Sequence, residues 1–231
     1  MFGLSALNFA SSKAMGQAER AGASCGATEP GLASGLVAGT RVATAMGWRP
    51  VEGILPGDMV LTFDAGPQEV IAVQRGQLWS SHGNCPRNLW PLRVAPGTIG
   101  NAKEAIVLAE QSVMIESDCA ENILGDPFAL IPAAALHGLA GVEPMAPPHD
   151  LAVVILQFAS DQIVFAAMGA LFFCPAAQQP LDLTRVPDEA ELWPYSLVPV
   201  EWAAQLLARR QTATPLTNAR QGMSVAGFQA A

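Results

Sequence analysis

Chemistry near neutral pH depends first on imidazole, which titrates there unperturbed, and on thiols, which are strong nucleophiles. This chain has three histidines and four cysteines among its 231 residues. Cys25, Cys85, Cys119 and Cys174 stand far apart, with no C-x-x-C pair. His82 lies in a polar loop, His137 in the apolar stretch AAALHGL, and His149 in a loop after MAPP. Neither set has the close spacing of metal ligands, so no metal site is expected. The cysteines read as reduced, partly buried thiols. His82 reads as solvated, His137 as a partly buried ring in a helix. Asp58, in the turn LPGD, is placed to accept backbone hydrogen bonds rather than to act as an acid. Glu110 is the single charge in AIVLAEQSVMI and reads as a water-facing residue of a half-buried strand. Trp48, Trp79, Trp90, Trp193 and Trp202 read as packing residues. The sequence has no G-x-G-x-x-G or P-loop pattern, so neither nucleotide nor other cofactor is expected.

Composition and turn signals set the scaffold around these residues. Hydrophobic residues make up 51% and charged residues 14%, a globular balance that excludes disorder over the whole chain. A net charge of -8 supplies no basic stripe for nucleic acid and no basic run for an anionic membrane. The most apolar window, residues 163–177, holds Gly169 and Pro175 and is shorter than the ~20 residues of a membrane span. The N-terminus lacks a long apolar core after basic residues, so no secretory signal is read. The cytoplasm is then the default compartment, with export by a signal elsewhere in the chain left open.

Residues 1–34 are rich in Ala, Gly and Ser and read as a flexible leader. From Thr40 onward, short β-branched runs alternate with Gly and Pro turns. TRVAT, WRPVEGI and MVLTF read as short strands. QEVIAVQRGQLW reads as one longer strand, and PLRVA as another. Residues 105–117 read as two strands or one bent one. HDLAVVILQF and QIVFAAMG read as a hairpin-like pair around ASD, 159–161. IPAAALHGL, 131–139, is the one internal helix expected, with Pro132 in its first turn. These elements predict an all-β domain over residues 35–175 and a tail over 176–231. The tail carries a helix near 198–211, on which Trp202, Leu206 and Leu207 share a face.

The order of these elements resembles the Hint module of hedgehog and intein proteins, and most closely the bacterial Hint_2-type domain. The carrying stretches are GTRVATAMGWRPVEGILPGDMVLTFDAGPQEV (39–70), PLRVAPGTIGN (91–101), IVLAEQ (106–111), ALIPAAAL (129–136) and LQFASDQIVFAAMGALFFCP (156–175). The resemblance implies a Hint-like fold of short twisted strands, one short internal helix and a C-terminal helical tail. It also implies a chemistry. In the family, an initial Cys or Ser attacks the preceding carbonyl and turns an amide into a (thio)ester. A Ser/Thr-x-x-His motif polarises that amide and protonates its leaving nitrogen.

Aligned on the family, Gly35 stands at the nucleophile position, Ala109 at the hydroxyl position and Ser112 at the histidine position. None can do the corresponding chemistry. Ser34, next to Gly35, is the remaining candidate nucleophile. The resemblance thus leans away from an enzyme and toward a degenerate, non-self-cleaving Hint protein acting as a binding or structural module. Its partner would be another protein or its own N-terminal peptide. A third class uses the tail helix around Trp202 for a partner. The alternative is an autoprocessing domain that cleaves near Ser34/Gly35 and releases the leader.

Overall fold

Strands form where apolar residues alternate with polar ones, the period of a pleated chain. A computed structural model describes residues 31–80, 83–177 and 197–212. In chain order the strands are β1 Leu36–Val37, β2 Arg41–Thr44, β3 Gly47–Pro50, β4 Met59–Thr62, β5 Gly66–Glu69, β6 Ala72–Gln77 and β7 Leu92–Val94. They continue with β8 Ala105–Val107, β9 Ser112–Glu116, β10 Phe128–Pro132, β11 Val142–Pro144, β12 Ala152–Gln157, β13 Gln162–Ala166 and β14 Ala170–Cys174. Two α-helices are described, α1 Asp118–Leu124 and α2 Val200–Thr212. In β7 the alternation is plain: Leu92 and Val94 are buried and Arg93 is exposed.

Two antiparallel sheets result. The first runs β11-β7-β8-β1-β12-β6, the second β10-β9-β14-β13-β2-β4-β5, with β3 paired to β2. This is the mainly β Hint-type architecture expected, with one short internal α-helix and a helix near the C-terminus. The main apolar cluster joins residues of both sheets, among them Val94, Val107, Val154 and Leu156 from the first and Val42, Val60, Val113 and Phe172 from the second. A smaller cluster gathers Val37, Leu78, Leu108 and Val153.

Several local expectations are corrected. Residues 131–139 are not an α-helix: β10 runs to Pro132, and a 3-10 helix spans Ala133–Leu136. Pro132 lacks an N–H yet serves at a strand end, pairing with Ser112. The internal α-helix is α1, too short for a periodic face to announce it. It stops at Gly125, whose φ of 78° lets its N–H reach Glu121 O. The stretch read as one strand over 68–79 is two, β5 and β6, which pair in different sheets. The β12 and β13 strands likewise form no hairpin: β12 pairs with β1 and β6, β13 with β14, β2 and β4. The connection at 159–161 hands the chain from one sheet to the other.

The last helix, α2, buries Ala203, Leu206 and Leu207, spaced along one helical face. It packs on β10, α1 and the 3-10 helix at Ala133–Leu136. Trp202 does not share that face and is 59% exposed. Among the described residues, no helix is long and apolar enough to cross a membrane.

Candidate functional site at the Ser34–Gly35 junction

The site is built where three segments converge: the entry to β1, the turn between β8 and β9, and the end of β14. The turn is closed by the Gln111 N–H donating to Leu108 O at 3.0 Å. It directs the Gln111 side chain inward, where 1% of the residue is exposed. All the hydrogen-bonding capacity of that amide facing protein is taken up. Its Nε2 donates to Ser112 O at 2.9 Å and to Phe173 O at 2.8 Å. Its Oε1 accepts from Gly35 N at 2.8 Å and from Ser34 Oγ at 3.2 Å. The orientation of the amide is fixed by its partners, because the two groups on one side are carbonyls and cannot donate.

Gly35 is buried, with φ of 128°, a conformation that L side chains rarely adopt. A Cβ built there would lie 2.8 Å from Val153 Cγ1, 2.9 Å from Ile155 Cγ1 and 3.0 Å from Val154 O, all on β12. Register explains the crowding: Leu36, the next residue, pairs with Val154. The space where a side chain of residue 35 would begin is therefore filled by its neighbouring strand.

The sequence-aligned residues separate around this point. Gly35 and Ser34 are at the junction, and Ser34 is exposed. Ser112 contributes its carbonyl to Gln111 and pairs with Pro132 through the backbone. Ala109 accepts the Ala134 N–H and lines a 320 Å³ cavity with Trp90 and His137. The side chain that meets the junction is thus Gln111, the residue between these aligned positions. Sequence reasoning passed over it as a spacer. Its one signal was an amide in an otherwise apolar run, beside the charge of Glu110, which is exposed as expected.

Groups elsewhere have structural surroundings. Asp58 accepts the Leu55 N–H at 2.8 Å and pairs with Arg49 at 3.1 Å. The Leu55 N–H first, and then the Arg49 guanidinium, hold its carboxyl below the ordinary 3.8, against an opposing effect of burial. Cys174 is buried and its thiol is pushed up to about 12 by loss of water, which disfavours the reactive thiolate. Cys85 is half-buried, and burial raises its thiol too. His137 is exposed rather than partly buried, because the 3-10 helix before it ends and turns it outward. His149 is also exposed. Among the described residues, no three His, Cys, Asp or Glu side chains are grouped as for a metal. His82, Cys25, the Cys119 side chain and Trp193 lie outside the described residues.

The Hint domain family matches residues 34–171, more than half of the chain. No curated protein matches it. Among solved structures, the chain is similar to the gp41-1 intein at 14% identity and a TM-score of 0.39, covering 59% of this chain and 96% of that one. It is also similar to a bacterial intein-like domain from Clostridium thermocellum, at 14% identity and 0.41, covering 60% and 97%.

Proposed function

The chain belongs to the Hint domain family, and from that premise we propose that it is a member that no longer cuts itself and instead holds its own N-terminal segment. The strongest support is the backbone at Gly35. A nucleophile there needs a Cβ, and the φ of 128° together with β12 at 2.8–3.0 Å leaves no room for one. The attack on the Ser34 carbonyl that the family performs has no attacking atom.

Proton transfer is missing as well. Cleavage of the Ser34–Gly35 amide requires a proton on the departing nitrogen. Gln111 presents an oxygen to that nitrogen, and its own N–H groups are engaged with Ser112 O and Phe173 O on the other side. A neutral amide neither gives nor takes a proton near neutral pH. We assign Gln111, in place of Ser112, to the position of the family's histidine. The hydroxyl position three residues earlier then falls on Leu108, which is buried and apolar, rather than on Ala109. Ser34 fares no better as a substitute nucleophile, since its hydroxyl donates to the same amide oxygen and, among the described residues, is given no base. What remains at the site is a set of hydrogen bonds that fastens the leader to the domain.

The experiment is intact mass of the purified full chain over prolonged incubation, with and without a thiol or hydroxylamine. The full-length mass is expected throughout. A fragment beginning at Ser34 or Gly35 would establish the alternative, an autoprocessing domain that releases its leader. A second chain carrying Gly35→Cys and Gln111→His tests the spatial argument. It too is expected to stay intact, because restoring the atoms does not restore the space that Val153 and Ile155 occupy.

A further inference from the structure

We propose that the ground between β6 and the Val37–Leu108–Val153 cluster is a peptide-recognition seat for an extended Gly-Leu segment, filled in cis by Gly31-Leu32. The proposal rests on the reading of a retained leader and names what retains it.

The path of the chain shows the seat. From β1 it passes Gly35 over Val153 and Ile155 of β12, and then places Leu32 over Gly76 of β6, the residue paired with Val153. Leu32 packs against the apolar cluster of Val37, Leu78, Leu108 and Val153, alongside Cys85. Its N–H donates to Gln77 O at 2.8 Å. That carbonyl is available for a geometric reason. The N–H of the same peptide unit, from Leu78, is bonded to Leu151 O beside β12, and across a trans peptide the carbonyl points the opposite way. Since β6 is the edge of its sheet, the outward carbonyl is free to receive a strand-like visitor.

Two glycines give the seat its specificity, one on each side. Gly76 on the domain omits the side chain that would occupy the place of Leu32: a Cβ there would stand 2.9 Å from Leu32 Cδ1 and 3.1 Å from Cγ. Gly31 on the ligand is more tightly required, since a Cβ there would fall 2.0 Å from Leu78 O, a backbone atom that cannot swing away. The ligand class is therefore a peptide with Gly, then a branched apolar residue in the pocket, followed by small residues leading to Ser34. The floor includes Leu108, so apolar contact occupies ground that a catalytic site would keep polar.

The test uses the full chain and Cys85 as a reporter, read by peptide mapping after alkylation. In Leu32→Asp, a carboxylate is driven out of the seat, and alkylation of Cys85, which packs on the same cluster, is expected to speed up about tenfold as that cluster opens. A synthetic peptide of residues 26–34 added in excess is expected to slow it again. The same peptide bearing Leu32→Asp should not. The unaltered chain, its seat filled in cis at high effective concentration, should bind the labelled peptide at least about tenfold more weakly than the variant. Gly31→Ala repeats the experiment without adding charge, in case Leu32→Asp fails to fold. A folded variant whose Cys85 the peptide does not protect overturns the seat. Cleavage of the chain is read separately by mass, so a cut at Ser34 would sink the non-cleaving reading without deciding this one.

Discussion

Two buried amides, Asn101 and Gln111, do similar chemistry over different ranges. Each is 1% exposed, and each has both its oxygen and its nitrogen engaged. Asn101 Nδ2 donates to Ala95 O at 3.0 Å and Lys103 O at 2.7 Å, while its Oδ1 accepts from Ile99 N at 3.1 Å. These partners lie in its own loop between β7 and β8, and a longer 3.4 Å bond reaches Val94 O at the end of β7. Gln111 instead joins the leader, its own turn and the end of β14. Asn101 ties a loop to itself, whereas Gln111 ties the Ser34–Gly35 junction to segments distant in sequence. A polar group in the core thus reveals its role by which segments its hydrogen bonds connect, more than by its burial.

Gln111→Leu should have the largest effect. It strands the buried Gly35 N–H and removes the donor shared by Ser112 O and Phe173 O, at about 3 kcal/mol by denaturant unfolding. Hydrogen exchange at Gly35 should rise in step. Asn101→Ala should cost less, about 2 kcal/mol, because Lys103 and its carbonyl lie near water. It should leave exchange at Gly35 unchanged, and a rise there would erase the distinction between local and long-range ties. Asp58→Ala removes a surface counterpart of Asn101, at roughly 1 kcal/mol near neutral pH. The sign follows from the lowered carboxyl: its contribution is present above the ordinary 3.8 and lost as pH falls through the lower folded value. Wild type and Asp58→Ala should therefore converge in stability in acid. Ser34→Ala should have the smallest effect, within about 0.5 kcal/mol, because an exposed hydroxyl can exchange its 3.2 Å bond for water. A larger loss would give Ser34 a share in holding the leader.

Much of the fold could be read in the chain because turn residues and period-two alternation are local. LPGD predicts its turn, and MVLTF predicts its strand. Strand partners were less legible. Nothing local distinguishes a β12–β13 hairpin from two strands separated at 159–161 into different sheets, since pairing is decided by distant residues such as Arg75 opposite Val154. The 3-10 helix at Ala133–Leu136 escaped because four apolar residues after a proline fit either helix type. Within the site, Gly35 and Ser34 could be found from their place before GTRVAT. Gln111 could not, because a spacing motif singles out no residue when none of its side chains is the expected type. Only the hydrogen bonds identify which residue faces the junction.

The pairing of Leu36 with Val154 has a consequence in time. A chain made from its N-terminus produces β1 early, yet the strand that receives it comes much later, and Phe173, which completes the Gln111 contacts, later still. Contacts this far apart in sequence close slowly, since a long loop must be ordered before they form. The segment before β1 is therefore among the last to settle, and until then its Leu32 is open to other partners that bind an extended peptide.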